Sequence, residues 1–325
     1  MTRGQGHPGP FCASSFPGLS MLNSDSVILG LRGMATLKRS LIGVCQLNST
    51  GDKERNFAEC QALVREGAER GAKFLFLPEA FDYVASSQEQ TLSQAETLEG
   101  DLIQRYFRMA RETGVWMSLG GFHERNPDWE RDRRIYNTHI LINNLGELAA
   151  IYRKTHLFDV DLKGRMAMKE SDFTIPGPAI EQPINTPIGK VGLATCYDLR
   201  FPEMSLVLSQ AGAEILTFPS AFTLITGLAH WEPLLRARAI ETQSYVVAAA
   251  QTGKHNDKRT SYGHSMVVDP WGCVVAQCHE GRDICYAEID LDYLRAVRQD
   301  MPVRYHRRTD LYGHLNPLPM HTGDH

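Results

Sequence analysis

No stretch of this 325-residue sequence approaches the ~18 uninterrupted apolar residues of a bilayer-spanning helix, which removes the helical membrane proteins. Excess charge of one sign is missing too. A net charge of −4 gives the chain no general attraction for nucleic acid or for an anionic membrane. Cysteine is sparse and odd in number, seven residues at 12, 45, 60, 196, 273, 278 and 285. That is a poor disulfide framework for a chain this long, so reduced thiols and an intracellular setting are expected. Cys273, Cys278, His279 and Cys285 come nearest to a zinc set, but their spacing is irregular and they fall along expected strands. Small core cysteines are the better reading, and no metal is expected. There is no G-x-S-x-G elbow, no H-E-x-x-H and no P-loop. Gly4-Gln5-Gly6-His7-Pro8-Gly9 spells a dinucleotide pattern, yet it follows no strand and opens no helix, so it is rejected. No internal repeat is visible.

Acid is almost absent from the first 33 residues, where Asp25 stands alone against Arg3 and Arg32 among Ser, Gly and Pro. Such a segment buries little apolar surface. Residues 1–39 are therefore expected to be a leader, either disordered or a mitochondrial transit peptide. Met34 could serve as a second start, giving a cytoplasmic form beside a mitochondrial one. No compact apolar stretch follows a basic start, which speaks against a secretory signal.

From Ser40 onward short apolar runs alternate with amphipathic stretches. Strands are expected at 42–47, 74–77, 115–119, 191–195, 215–218, 245–250 and 284–289. Hairpins are expected around Asn143-Asn144-Leu145-Gly146 and around Asp269-Pro270-Trp271-Gly272. Helices are expected over 52–70, around Leu102, Tyr106 and Ala110 with Gly114 as the stop, from Pro202, over 231–243 and over 291–298. Mixed hairpins and crossovers without a linker give one α/β domain over 40–312, two mixed sheets with helices outside, and a short tail over 313–325.

Certain polar residues sit where strands end. Cys196, in Thr195-Cys196-Tyr197-Asp198-Leu199-Arg200-Phe201-Pro202-Glu203, follows an apolar strand and precedes a helix. Backbone N–H groups there favour a thiolate and a developing oxyanion. By itself a free cysteine reads as core packing. Glu79, in Leu77-Pro78-Glu79-Ala80-Phe81, is either a surface acid or a desolvated base with a raised pKa. Lys154, closing Ile151-Tyr152-Arg153-Lys154, reads alone as a snorkelling lysine. Arg200 could pair with a substrate carboxylate or with Glu203 or Asp198. Judged alone, Glu170 in Met168-Lys169-Glu170-Ser171 is an exposed loop acid.

Leu77-Pro78-Glu79, Tyr152-Arg153-Lys154-Thr155-His156-Leu157 and the Cys196–Glu203 run together resemble the signatures of the nitrilase superfamily, the carbon–nitrogen hydrolases. The resemblance runs from about Leu41 to Tyr312, and Ala237–Gln243 and Arg307–Tyr312 add to it. One departure is Leu162-Lys163-Gly164, where relatives commonly carry a proline before the glycine. The resemblance implies a four-layer αββα sandwich of two mixed β-sheets that forms a homodimer or larger homo-oligomer. It implies an amide hydrolase without cofactor. In that hydrolase Cys196 is the nucleophile, Glu79 the general base, Lys154 the electrostatic partner and Glu170 a positioning glutamate. Tyr197 would supply a backbone N–H to the oxyanion, and Arg200, Phe222 and Thr226 would line a pocket for an oxo-acid acyl group. The implied substrate is deaminated glutathione, cleaved to 2-oxoglutarate and cysteinylglycine, with 2-oxoglutaramate as the rival. A binding or signalling protein on the same scaffold, or an acyltransferase, are the other classes open.

Overall fold

The computed structural model describes residues 39–162, 166–316 and 318. The expected leader therefore lies, apart from Arg39, outside the described residues, as do Lys163, Gly164 and most of the expected tail. The chain opens with β1 (Ser40–Gln46), α1 (Lys53–Glu69), β2 (Phe74–Leu77), α2 (Gln88–Gln94), α3 (Asp101–Thr113) and β3 (Trp116–Arg125). A hairpin of β4 (Ile135–Ile142) and β5 (Leu148–Arg153) follows, then a ribbon of β6 (Asp159–Leu162) and β7 (Met166–Lys169). Next come β8 (Ile184–Thr186), β9 (Gly189–Leu193), α4 (Pro202–Gln210), β10 (Ile215–Thr217), α5 (Leu224–Thr242) and β11 (Tyr245–Ala248). A second ribbon pairs β12 (Thr252–Lys254) with β13 (Thr260–Tyr262). The chain ends through β14 (Met266–Val268), β15 (Val274–Gln277), β16 (Asp283–Ile289), α6 (Leu291–Asp300) and α7 (Thr309–Tyr312).

Two six-stranded sheets result, ordered β16-β1-β2-β3-β4-β5 and β15-β14-β11-β10-β9-β8. Three parallel strands form the centre of each, β1-β2-β3 in one and β9-β10-β11 in the other. Antiparallel strands flank both centres in the same pattern, one on one side and two on the other. The two sheets thus repeat one topology, although no repeat shows in the sequence.

Strand alternation explains the layering. On β2, Phe74 and Phe76 face the second sheet with Ile42 and Val44 of β1, packing into one core with Val191, Leu193, Ile215 and Phe218. Leu75 and Leu77 point the other way, into a second core with Phe57, Cys60 and Val64 of α1 and Ile103 and Tyr106 of α3. Outside the second sheet, Met204 and Leu208 of α4 and Trp231, Leu235 and Ala239 of α5 cover the opposite face. The layers are helix, sheet, sheet, helix, as expected.

Local chemistry sets the helix ends. Asp52 caps α1, its Oδ1 accepting from the N–H groups of Glu54 and Arg55 at 3.0 Å each. Gly114 closes α3 at φ +68°, and Pro202 is the first residue of α4. α5 starts at Leu224 rather than at Trp231. Thr223 Oγ1 accepts from the Thr226 N–H at 3.3 Å there, while Leu224, Ile225 and Leu228 are exposed, so no buried stripe announces the first turns. Polar α2, where only Thr91 is buried, lacked a pattern for the same reason, and the β6–β7 ribbon is an addition to the expected strands. Cys278 and Cys285 are core residues, their thiols against the carbonyls of Val44 and Ser265 at 3.7 Å. Among the described residues no helix is long and apolar enough to cross a membrane.

Candidate active site

Glu79, Lys154, Glu170 and Cys196 each lie just past a strand, after β2, β5, β7 and β9 respectively, and they meet at one end of the sandwich. The chain reverses sharply at Cys196, whose φ is +48°, and its N–H donates to the Pro219 carbonyl at 2.9 Å in the loop after β10. Holding a non-glycine residue there costs of order 1 kcal/mol, so surrounding contacts must fix it. Asp198 does much of that. Its buried carboxylate accepts from the Thr195 N–H at 2.8 Å, the Tyr152 hydroxyl at 2.7 Å and the His156 N–H at 3.2 Å, and it meets His156 Nδ1 at 2.7 Å. Since Tyr152 and His156 flank Lys154, one carboxylate ties the lysine's segment to the cysteine's turn.

Lys154 is 2% exposed, so the snorkelling reading fails. Its Nζ donates to Glu79 Oε1 at 3.1 Å and to Glu170 Oε1 and Oε2 at 3.1 and 2.9 Å. Glu170 is 6% exposed, not a surface acid, and its Oε2 also accepts from the Phe158 N–H at 2.7 Å. Asn137 of β4 was not foreseen. Its Nδ2 donates to Glu79 Oε1 at 2.8 Å and reaches Glu170 Oε1 at 3.4 Å, bracing both carboxylates.

The titration directions correct the sequence reading. Burial pushes the Glu79 carboxyl up, but the Lys154 charge, with hydrogen bonds from Cys196, Asn137 and Lys154, outweighs burial and holds it below the usual carboxylate range. For Cys196, burial and then the Glu79 charge drive the thiol well above its ordinary value, against the opposing pull of Lys154 and the Ala221 N–H. Lys154 is held well above the usual lysine range, since Glu170 and Glu79 overcome the burial that favours its neutral form. The resting state is therefore a thiol beside a carboxylate and an ammonium. In such a set the carboxylate can take the thiol proton when sulfur attacks an electrophile.

A strand defect makes room for the arrangement. β3 is irregular between Gly120 and Phe122, and Gly121 sits at φ +101°. A Cβ on Gly120 would lie 2.0 Å from Pro219 Cβ, and one on Gly121 would lie 2.4 Å from Asn137 Oδ1. Only glycine lets the strand pass this close to Pro219 and to Asn137 of β4.

The four residues open into a cavity of about 540 Å³, which Arg200, Tyr197, Phe222 and Thr226 also line. Neither ion pair considered for Arg200 forms. Its guanidinium lies 3.3 Å from His230 Nδ1 and over the Tyr197 and Phe222 rings, with no carboxylate partner among the described residues. His123 of β3 lines the cavity as well, its Nδ1 held 3.0 Å from Asp82 and its ring stacked on Tyr83. No spacing in the sequence marks His123 or Asn137, because each lies within a strand beside other polar residues, not at a strand's end.

The sequence profile of the carbon–nitrogen hydrolases matches residues 41–299. The chain belongs to that family. It is similar to the bovine and human proteins named deaminated glutathione amidase, 62% identical to each over 279 residues, 86% of this chain and 85% of theirs. The Caenorhabditis elegans NitFhit structure superposes with a TM-score of 0.83 at 49% identity, covering 88% of this chain and 69% of that one. Saccharomyces cerevisiae Nit3, described as a nitrilase-superfamily member, gives 0.74 at 31%, covering 83% and 97%. This carbon–nitrogen hydrolase therefore has the nitrilase fold, and its expected motif residues converge on one cavity.

Proposed function

We propose that this hydrolase cleaves the amide of deaminated glutathione, with Cys196 as nucleophile, Glu79 as proton carrier, Lys154 as charge partner and Glu170 as its anchor. The observation that carries the reading is the Lys154 ammonium bonded to both carboxylates, with Glu79 facing the thiol. Glu79 takes the Sγ proton as sulfur adds to the amide carbon. The negative charge moves from Glu79 to the oxyanion without changing the site's total, so Lys154 stabilises both ends of the step. The Tyr197 N–H, assigned by family resemblance, adds a donor of the kind worth ~3–4 kcal/mol in the barrier. Glu79 then protonates the departing amine nitrogen, the C–N bond breaks, and a thioester remains on Cys196. Water attacks it, giving its proton to Glu79, and the acid leaves as Cys196 recovers a proton.

Arg200, without a protein carboxylate, supports an acyl group bearing a free carboxylate, as 2-oxoglutarate does. Identity with the bovine and human amidases supports the peptide amide as substrate. The test is 2-oxoglutarate release from deaminated glutathione and from 2-oxoglutaramate by wild type and Cys196→Ala. Preference for deaminated glutathione with an inert variant is expected. Preference for 2-oxoglutaramate moves the substrate, and full activity in Cys196→Ala withdraws the mechanism and reopens the non-catalytic and acyltransferase readings.

Exposed Leu224, Ile225, Leu228, Ile240 and Trp271 on and beside α5 support a homodimer through that helix. Sedimentation of wild type and Leu228→Asp tests it, with dissociation of the variant expected. The acid-poor leader supports delivery of a mitochondrial form beside a cytoplasmic one, tested by localising a reporter fused to residues 1–39.

A further inference from the structure

Arg200 belongs to the five-residue turn Cys196–Arg200 that carries the nucleophile, so its charge serves the acyl half of a substrate. Once its other carboxyl is tied up as the amide, a 2-oxoglutaryl group has one free carboxylate, which Arg200 can meet. The cavity nevertheless holds further cations. Lys258 and Arg259 line it from the turn between β12 and β13, and neither has a carboxylate partner among the described residues. The neighbouring acid, Asp257, is taken by Lys254 at 2.8 Å.

That turn is built rather than slack. Asn256 Oδ1 accepts from the N–H groups of Lys258 and Arg259 at 2.9 and 3.0 Å, and its Nδ2 donates to the Ala85 carbonyl at 3.1 Å. Buried His255 spans from the Ser49 carbonyl to Ser261 Oγ, 2.8 Å at each ring nitrogen, and its N–H donates to the Arg259 carbonyl at 2.9 Å. A bridge between Ser261 and Thr223 joins the ribbon to the start of α5, beside Phe222 and Thr226. The backbone from which both cations project is thus fixed against the wall of the acyl pocket.

Two cations held at a cavity wall without an internal anion are suited to an anion of the ligand. We infer that Lys258 and Arg259 form a leaving-group subsite, selecting amides whose amine half is a short peptide ending in a free carboxylate over primary amides. The inference rests on the substrate reading above and adds the residues that distinguish a peptide amide from 2-oxoglutaramate.

The test compares kcat/KM for deaminated glutathione, for the same compound with its terminal carboxyl converted to a carboxamide, and for 2-oxoglutaramate. Enzymes compared are wild type, the Lys258→Gln/Arg259→Gln double variant and Arg259→Lys. Wild type should prefer the free acid over its carboxamide by about 10- to 100-fold, the range for charge-assisted bonds. In the double variant this ratio should fall to within about twofold of unity, with Arg259→Lys recovering part of it. A ratio is insensitive to loss of folded enzyme. A double variant that keeps the wild-type ratio, or a wild type with no preference, overturns the subsite and leaves the substrate reading standing. A wild type that cleaves deaminated glutathione no better than buffer overturns that reading, and the subsite with it.

Discussion

Burial and charge pull in opposite directions at Lys154, and charge prevails. Removing the ammonium leaves Glu79 and Glu170 buried together, a situation that costs roughly 3–5 kcal/mol unless one of them takes a proton. In Lys154→Met the Glu79 pKa should therefore rise, and any residual activity should show its acid limb at higher pH. In the wild type the sign is opposite. Glu79 is held below the ordinary carboxylate range, so its base form persists on acidification and kcat/KM should stay level from about pH 8 to about pH 5. A limb centred near neutrality would contradict the arrangement. Because the Cys196 thiol is pushed up rather than down, no thiolate absorbance is expected at pH 7, and kcat should fall about 10²- to 10⁴-fold in Glu79→Gln, which loses the acceptor of the thiol proton. Glu79, Lys154 and Cys196 were legible as polar residues at strand ends. Their pKa directions were not, since these depend on which charge stands within hydrogen-bond reach, and Glu170 and Asn137 take their meaning only from contacts across the fold.

Among the elements, β3 has the plainest consequence. Gly121→Ala would place a methyl group 2.4 Å from Asn137 Oδ1 on a backbone at φ +101°. The expected outcome is a cost of order 1–2 kcal/mol in stability and at least a tenfold drop in kcat, as the amide that braces Glu79 moves. Denaturant unfolding and steady-state kinetics check both parts, and wild-type kinetics in the variant would refute the role given to the irregularity. Elements with a buried stripe or a cap stood out in the sequence, among them α1, α3 and α4. The polar helix α2 and the exposed first turns of α5 did not, because burial writes the pattern and they bury little. The shared topology of the two sheets was invisible for a related reason. It is fixed by alternation and strand order, which many different residues satisfy.

For the molecule as a whole, buried histidines set the response to acid. Burial holds His139 neutral down to about 3, against a hydrogen bond to the Ala194 carbonyl, and His255 down to about 4, against one to Ser49 and aided by the Arg259 charge. In the unfolded chain both imidazoles protonate near 6.5. Between ~6.5 and ~4 the unfolded state binds more protons, so stability falls as pH falls, each histidine contributing up to about 1.4 kcal/mol per pH unit. The unfolding midpoint should drop on going from pH 7 to pH 5, and His139→Gln should be less stable at pH 7 yet show a shallower slope. An unchanged slope would mean that His139 does not carry this dependence.

The central claim is that Cys196 forms a thioester with the acyl half of the amide. Acid quench of the enzyme during turnover of deaminated glutathione, followed by mass spectrometry of its peptides, tests it directly. A 2-oxoglutaryl group on the Cys196 peptide, absent from Cys196→Ala, is the predicted result. Turnover with no acylated peptide, together with retained activity in Cys196→Ala, would contradict it.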